Sequence, residues 1–132
     1  MRQIPLGTKG EFTLHVLPEH LADQVKDAML PRVLATPVMI MAMENAALNA
    51  IKPFLDRGES AVGVEIEVRH LAATPVGHTI RAEAEVMKTA GKRIAFKVLA
   101  SDETEMIGNG THQRAVIGLR SFNERLAKKT KH

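Results

Sequence analysis

One change of hydrophobic period, near Gly58, constrains this chain more than any other feature of it. From Thr36 to Phe54 apolar residues recur at three- and four-residue spacing, as on a helix, and after Gly58 they recur at every second position, as on strands. Thr36-Pro37 is a good helix start, because a Thr hydroxyl can cap free amides and Pro is favoured at the first helical position. The helix is expected from Val38 to about Phe54, with Gly58 closing it. Its polar residues Asn45, Asn49, Lys52 and Asp56 fall on one stripe, while Met39, Met43, Ala46, Ala47, Ala50 and Ile51 are apolar, so most of its surface must be wrapped.

The alternating runs supply the wrapping. Val62, Val64, Ile66, Val68 and His70 share one face of a strand, opposite Gly63, Glu65, Glu67 and Arg69. Ile80, Ala82, Ala84 and Val86 alternate in the next strand, and Ile94, Phe96 and Val98 in a third, reached through Ala90-Gly91. A fourth, from about Met106 to Leu119, carries Gly108 and Gly110. Upstream, Phe12, Leu14 and Val16 mark another strand, and Leu21, Val25, Ala28 and Met29 mark a short amphipathic helix over Pro18 to Leu30. No helix lies between the last four strands to make a parallel crossover. The class is therefore α+β, an antiparallel sheet wrapped around one long central helix.

Composition fits one domain spanning residues 1–132, with a basic tail from about residue 120 to 132. Aromatic residues are only 3%, with no Trp or Tyr, so Val, Ile, Leu, Met and Ala must fill a thin core, and association would cover more apolar area. Having no Cys, the chain excludes disulfides and thiolate chemistry. Neither a charged leader with an apolar run nor an unbroken apolar span is present, so a cytoplasmic protein that does not enter a membrane is expected. Much of the net charge of +3 lies in the tail through Arg120, Arg125, Lys128, Lys129 and Lys131, read as a solvated, frayed end. Basic stripes interleaved with aromatics are missing, so no nucleic acid partner is expected. The six histidines form no ligand-spaced pair, and Gly108-Asn109-Gly110 is no dinucleotide fingerprint, so neither a metal nor a nucleotide cofactor is expected.

Three residues are candidates for chemistry. Glu44 is the only charge between Val33 and Ile51, and a carboxylate in apolar surroundings needs pairing or a task; a solvent-reaching position at the helix edge is the structural alternative. His70 ends a strand row and fits either a rim histidine or a proton-transfer group. Thr36 is a helix cap or a substrate-facing hydroxyl at a helix start that favours negative charge.

Leu34-Ala35-Thr36, Met43-Glu44-Asn45-Ala46-Ala47, the strand from Gly63 to Leu71, Thr74-Pro75-Val76-Gly77 and Gly108-Asn109-Gly110-Thr111-His112 together resemble the fluoroacetyl-CoA thioesterase family of hotdog-fold acyl-CoA thioesterases. The resemblance covers most of the chain. Its most specific element is the spacing of eight residues from Thr36 to Glu44 and twenty-six from Glu44 to His70. It implies the hotdog fold and a two-fold homodimer with active sites at the interface, leaving a tetramer open. It also implies roles: Thr36 orients, Glu44 is nucleophile or general base, His70 handles the proton and leaving thiolate, and the Gly63 amide helps hold the thioester oxygen. Such hydrolysis needs those three kinds of group and no cofactor.

A phenylalanine lid precedes the Thr in the fluoroacetyl-selective type, whereas Pro18 to Ala35 here holds no aromatic residue. Leu30, with Met29, is expected to cover the pocket, and the expected substrate is a short-chain or aryl acyl-CoA. Arg114, Lys92 and Arg93 are candidates for the coenzyme A phosphates. Rival readings are a non-catalytic acyl-CoA-binding hotdog protein and a hotdog enoyl-thioester hydratase; the latter resembles a different Asp and His motif, which is not seen here.

Overall fold

The computed structural model describes residues 1–130; Lys131 and His132, the end of the basic tail, lie outside the described residues. Five strands, β1 (Lys9–His15), β2 (Glu59–His70), β3 (Thr79–Ala90), β4 (Arg93–Ser101) and β5 (Met106–Gly118), form one sheet in the order β1-β3-β4-β5-β2, with every pairing antiparallel. The sheet curls around a long helix, numbered α2 (Thr36–Ile51) because a single turn, α1 (Ala22–Val25), precedes it. This is the wrapped-helix α+β architecture that the change of period requires.

The helix lies close because its sheet side is small. Ala42, Ala46, Ala47 and Ala50 are buried on it, with Met39, Met43 and Ile51 filling the space between. From the sheet, the alternating Ile80, Ala82, Ala84 and Val86 of β3 and Ile94, Phe96 and Val98 of β4 close the core. Asn49, on the polar stripe, donates from Nδ2 to the Glu11 carbonyl at 2.8 Å and ties the helix to β1. The helix ends at Ile51 and passes into a 3₁₀ turn, Lys52–Phe54, because Pro53 has no amide to continue the ladder. Gly58, at φ +87°, follows and turns the chain into β2.

Three expectations change. The stretch from Pro18 to Leu30 is not one helix: a 3₁₀ turn (Pro18–His20) and α1 give way to turns, and the segment is pinned at its base by the Leu21–Leu34 bridge and by Arg32 Nη1 on Asp23 Oδ2 at 2.6 Å. The basic tail is not frayed through its length: α3 (Leu119–Lys129) forms there, with Arg120 and Glu124 paired at 3.7 Å one turn apart, though none of its residues is buried. The uninterrupted alternation of β2 also fails. Register passes from Gly63 opposite Arg114 to Glu65 opposite Gln113, so Val64 is an extra residue on β2. That bulge reverses the alternation, and Gly63 comes to share the helix side with Val68 and His70, although the strand pattern put it on the opposite face.

β2 is an edge strand, and Val64 and Ile66 on it are 44% and 37% exposed. Among the described residues no helix is long and apolar enough to cross a membrane.

Candidate active site

Thr36 is the first residue of α2, and its hydroxyl does not cap the helix. The cap position falls on Ala35, with no side-chain cap bond, and Pro37 occupies the first turn. Thr36 Oγ1 instead meets His70 Nδ1 at 2.8 Å across the gap between the helix start and the end of β2. His70 is half-buried, and burial pushes its pKa below the ordinary histidine value against the opposing influence of the Ala72 backbone. Its Nε2 is buried and has no hydrogen-bond partner. In front of the pair lies an open cavity of about 360 Å³ lined by Lys26, Leu30, Pro31, Val33, Leu34 and Ala72, among others. Leu30 is among the residues lining it. Met29, at 92% exposed, points into solvent and does not cover it.

Glu44 sits elsewhere. Eight residues of helix separate it from Thr36, roughly 12 Å along the axis. It borders a second cavity, of about 200 Å³, with Gly63, Val64, Glu65, Ile66 and His112. Gly63 is glycine for a steric reason: a Cβ there would stand 2.8 Å from Glu44 Oε2 and 3.3 Å from His112 Cε1. Thus the chain brings together Thr36 with His70, and Glu44 with Gly63, as two separate pairs. They lie seven residues apart along β2, roughly 20 Å.

Arg114 is not at a pocket mouth. It is 8% exposed, beneath the sheet, with Nη2 donating to the Ala61 carbonyl at 2.7 Å and Nη1 3.9 Å from Glu44 Oε2. Lys92 and Arg93 stand at the exposed β3–β4 hairpin, where Arg93 reaches Gln113 Oε1 at 3.3 Å. His112, to which sequence reasoning gave no role, is 1% exposed, with Nδ1 2.7 Å from the Glu65 carbonyl and Nε2 3.2 Å from Arg114 Nη1. A signal was available: the period-two pattern of the last strand puts His112 and Arg114 on one face with the apolar Val116, an unusual pair for an inward row.

Chemically, the Thr36–His70 pair offers an oriented, uncharged imidazole beside an apolar wall, and the Glu44–Gly63 pair offers a carboxylate beside strand backbone. No group of metal-ligating side chains is present among the described residues. A family model described as fluoroacetyl-CoA-specific thioesterase matches residues 16–119. The fluoroacetyl-CoA thioesterase of Streptantibioticus cattleyicolor is 41% identical over 117 residues, covering 88% of this chain and 84% of that protein. A solved structure of the fluoroacetyl-CoA thioesterase FlK superposes with a TM-score of 0.91 at 36% identity, over 96% of this chain and 98% of that one. A thioesterase superfamily member from Thermus thermophilus superposes at 0.93 with 31% identity, over 99% and 96%.

Proposed function

The chain belongs to the fluoroacetyl-CoA-specific thioesterase family and has its hotdog fold, and from that premise we propose that it hydrolyses short-chain or aryl acyl-CoA thioesters through Thr36, Glu44 and His70, as a homodimer. The observation that carries the reading is the 2.8 Å contact of Thr36 Oγ1 with His70 Nδ1 at the wall of an apolar cavity. With the hydroxyl donating to Nδ1, the imidazole proton rests on Nε2, the atom without a partner. That N–H donates to the departing thiolate. Glu44 either attacks the thioester carbonyl, the C–S bond breaking to leave a Glu44–acyl anhydride that water then hydrolyses, or takes the proton from a water that attacks the carbonyl directly with the same C–S cleavage; either way free acid and coenzyme A leave. The Gly63 amide steadies the carbonyl oxygen as it gains charge.

The separation of these two pairs supports the dimer, in which each is half of a site. β2 is an edge strand with exposed apolar residues, and an edge of that length needs covering. Antiparallel pairing of β2 with its two-fold copy, centred near Ile66, sets the Glu44–Gly63 end of one protomer against the Thr36–His70 end of the other. Each complete site then draws on both chains. The acyl class rests on the segment before Thr36: Leu30 lines the cavity, no aromatic side chain stands over it, and a short or flat acyl group fits. The lack of an aromatic lid supports this class over strict fluoroacetyl selectivity.

Release of free coenzyme A from acetyl, fluoroacetyl, butyryl, phenylacetyl and benzoyl thioesters tests the reading. We expect turnover that falls to a small but measurable residue in both Glu44→Gln and His70→Ala with folding intact. No release from any thioester by the wild-type dimer would leave an acyl-CoA binder in its place.

A further inference from the structure

Two polar side chains of β5, His112 and Arg114, are buried without a part in the chemistry above, and both border Glu44. A guanidinium stays charged at ordinary pH, even where burial pulls its pKa down against the opposing effect of Glu44, as it does for Arg114. A buried cation is costly unless its donors find acceptors and its charge an anion. Arg114 meets that need with the Ala61 carbonyl at 2.7 Å, His112 Nε2 at 3.2 Å and Glu44 Oε2 at 3.9 Å. Among the described residues, Glu44 is the one carboxylate paired with it.

His112 sets the direction of that cation. Its Nδ1 faces a backbone carbonyl, which only accepts, so Nδ1 carries the proton and Nε2 is left to accept from Arg114. Its ring stacks on Phe96 with centroids 5.9 Å apart. Because the carbonyl belongs to Glu65, immediately after the bulge, the same imidazole ties β5 to the stretch of β2 that carries Gly63.

We propose that His112 and Arg114 are positioning residues for Glu44: the imidazole orients the guanidinium and holds the bulge, and the guanidinium holds the carboxylate beside Gly63, where the thioester carbonyl arrives. The inference rests on the catalytic reading of Glu44. It replaces the coenzyme A phosphate contact expected of Arg114, whose donors are turned inward.

Steady-state kcat and KM of wild type, Glu44→Gln, Arg114→Met, Arg114→Lys and the Glu44→Gln/Arg114→Met double variant provide the test. We expect Arg114→Met to lower kcat about a hundredfold with KM within about threefold, and to add no loss on top of Glu44→Gln. Arg114→Lys keeps the charge without the fork and is expected about tenfold below wild type in kcat. Wild-type kcat in Arg114→Lys overturns the proposal, whether or not Arg114→Met folds. A raised KM with kcat preserved, or losses that multiply in the double variant, overturns it as well. Should Glu44→Gln turn over like wild type, the reading of Glu44 falls and the inference with it. Should Glu44→Gln be inert while both Arg114 variants are unimpaired, the inference alone falls.

Discussion

At the scale of single residues, the absence of one side chain is as informative as the presence of another. Gly63 does not hold a left-handed backbone; it leaves room for the Glu44 carboxylate, which a Cβ would approach to 2.8 Å. The obstructed atom is the far end of a flexible side chain, so Gly63→Ala should fold and melt nearly as wild type while the carboxylate is displaced. A loss of kcat of about tenfold to a hundredfold is expected, since sub-ångström misplacement of a reacting group is that costly. A Gly63→Ala enzyme with wild-type turnover would separate Glu44 from the reacting centre. Glu44 was legible in the sequence as a lone charge among apolar helix residues, and the spacing to His70 was legible from the family pattern. The contact between Thr36 and His70 was not, because a Thr ahead of Pro at a helix start has a local explanation that hides the distant one. His112 was hidden similarly, as one polar residue within a strand rich in glycine and uncharged polar residues.

At the scale of elements, the seam between α2 and β1 decides how tightly the sheet wraps. A Cβ at Gly10 would run into the Ala46 carbonyl and the backbone of Ala50, and neither can rotate away as a side chain does. Gly10→Ala should therefore destabilise by about 3 kcal/mol, the range of forced overpacking. The fall should appear as a lower urea midpoint at unchanged slope. A midpoint equal to wild type would mean that the helix can shift outward without cost. The contrast with Gly63 is one of what lies opposite, backbone in one case and a side-chain tip in the other. Elements were legible where a period ran unbroken: α2, β3 and β4 follow directly from the positions of their apolar residues. β2 was legible as a strand but not in its facing, because one unpaired residue at Val64 reverses the alternation without changing composition. The segment from Pro18 to Leu30 carried a helical pattern too short to outweigh its turns, which long-range contacts such as the Leu34 amide on the Thr74 carbonyl fix at 2.8 Å.

At the scale of the whole molecule, the buried histidines set how the fold answers to acid. His70 and His112 both have pKa values pushed below the ordinary 6.5, first by burial; the Ala72 backbone opposes this at His70, and at His112 the Glu65 carbonyl and Glu44 oppose it while Arg114 adds to it. Below pH 6.5 the unfolded chain therefore binds protons that the folded chain refuses, so stability falls as pH falls. The contribution is fully present above 6.5 and is lost progressively below it. A second step follows at lower pH. The Asp102 carboxyl, raised by burial but lowered by more through the amides of Thr104 and Glu105 and the hydroxyls of Thr74 and Thr104, ends below its ordinary 3.8. Protonating it releases the clasp between the β2–β3 and β4–β5 connections, where Thr74 Oγ1 donates to Asp102 Oδ2 at 2.9 Å. Urea midpoints at fixed protein concentration should be level from pH 8 to 7, fall as pH drops below 6.5, and fall again below about 4, with concentration held because the stability of the proposed dimer would depend on it. His112→Asn should shrink the first step to the share of His70 and leave the second. A profile flat from pH 8 to 5 would show that the folded histidines take up protons as readily as the unfolded ones, and would remove the neutral imidazoles on which the proposed roles of His70 and Arg114 rest.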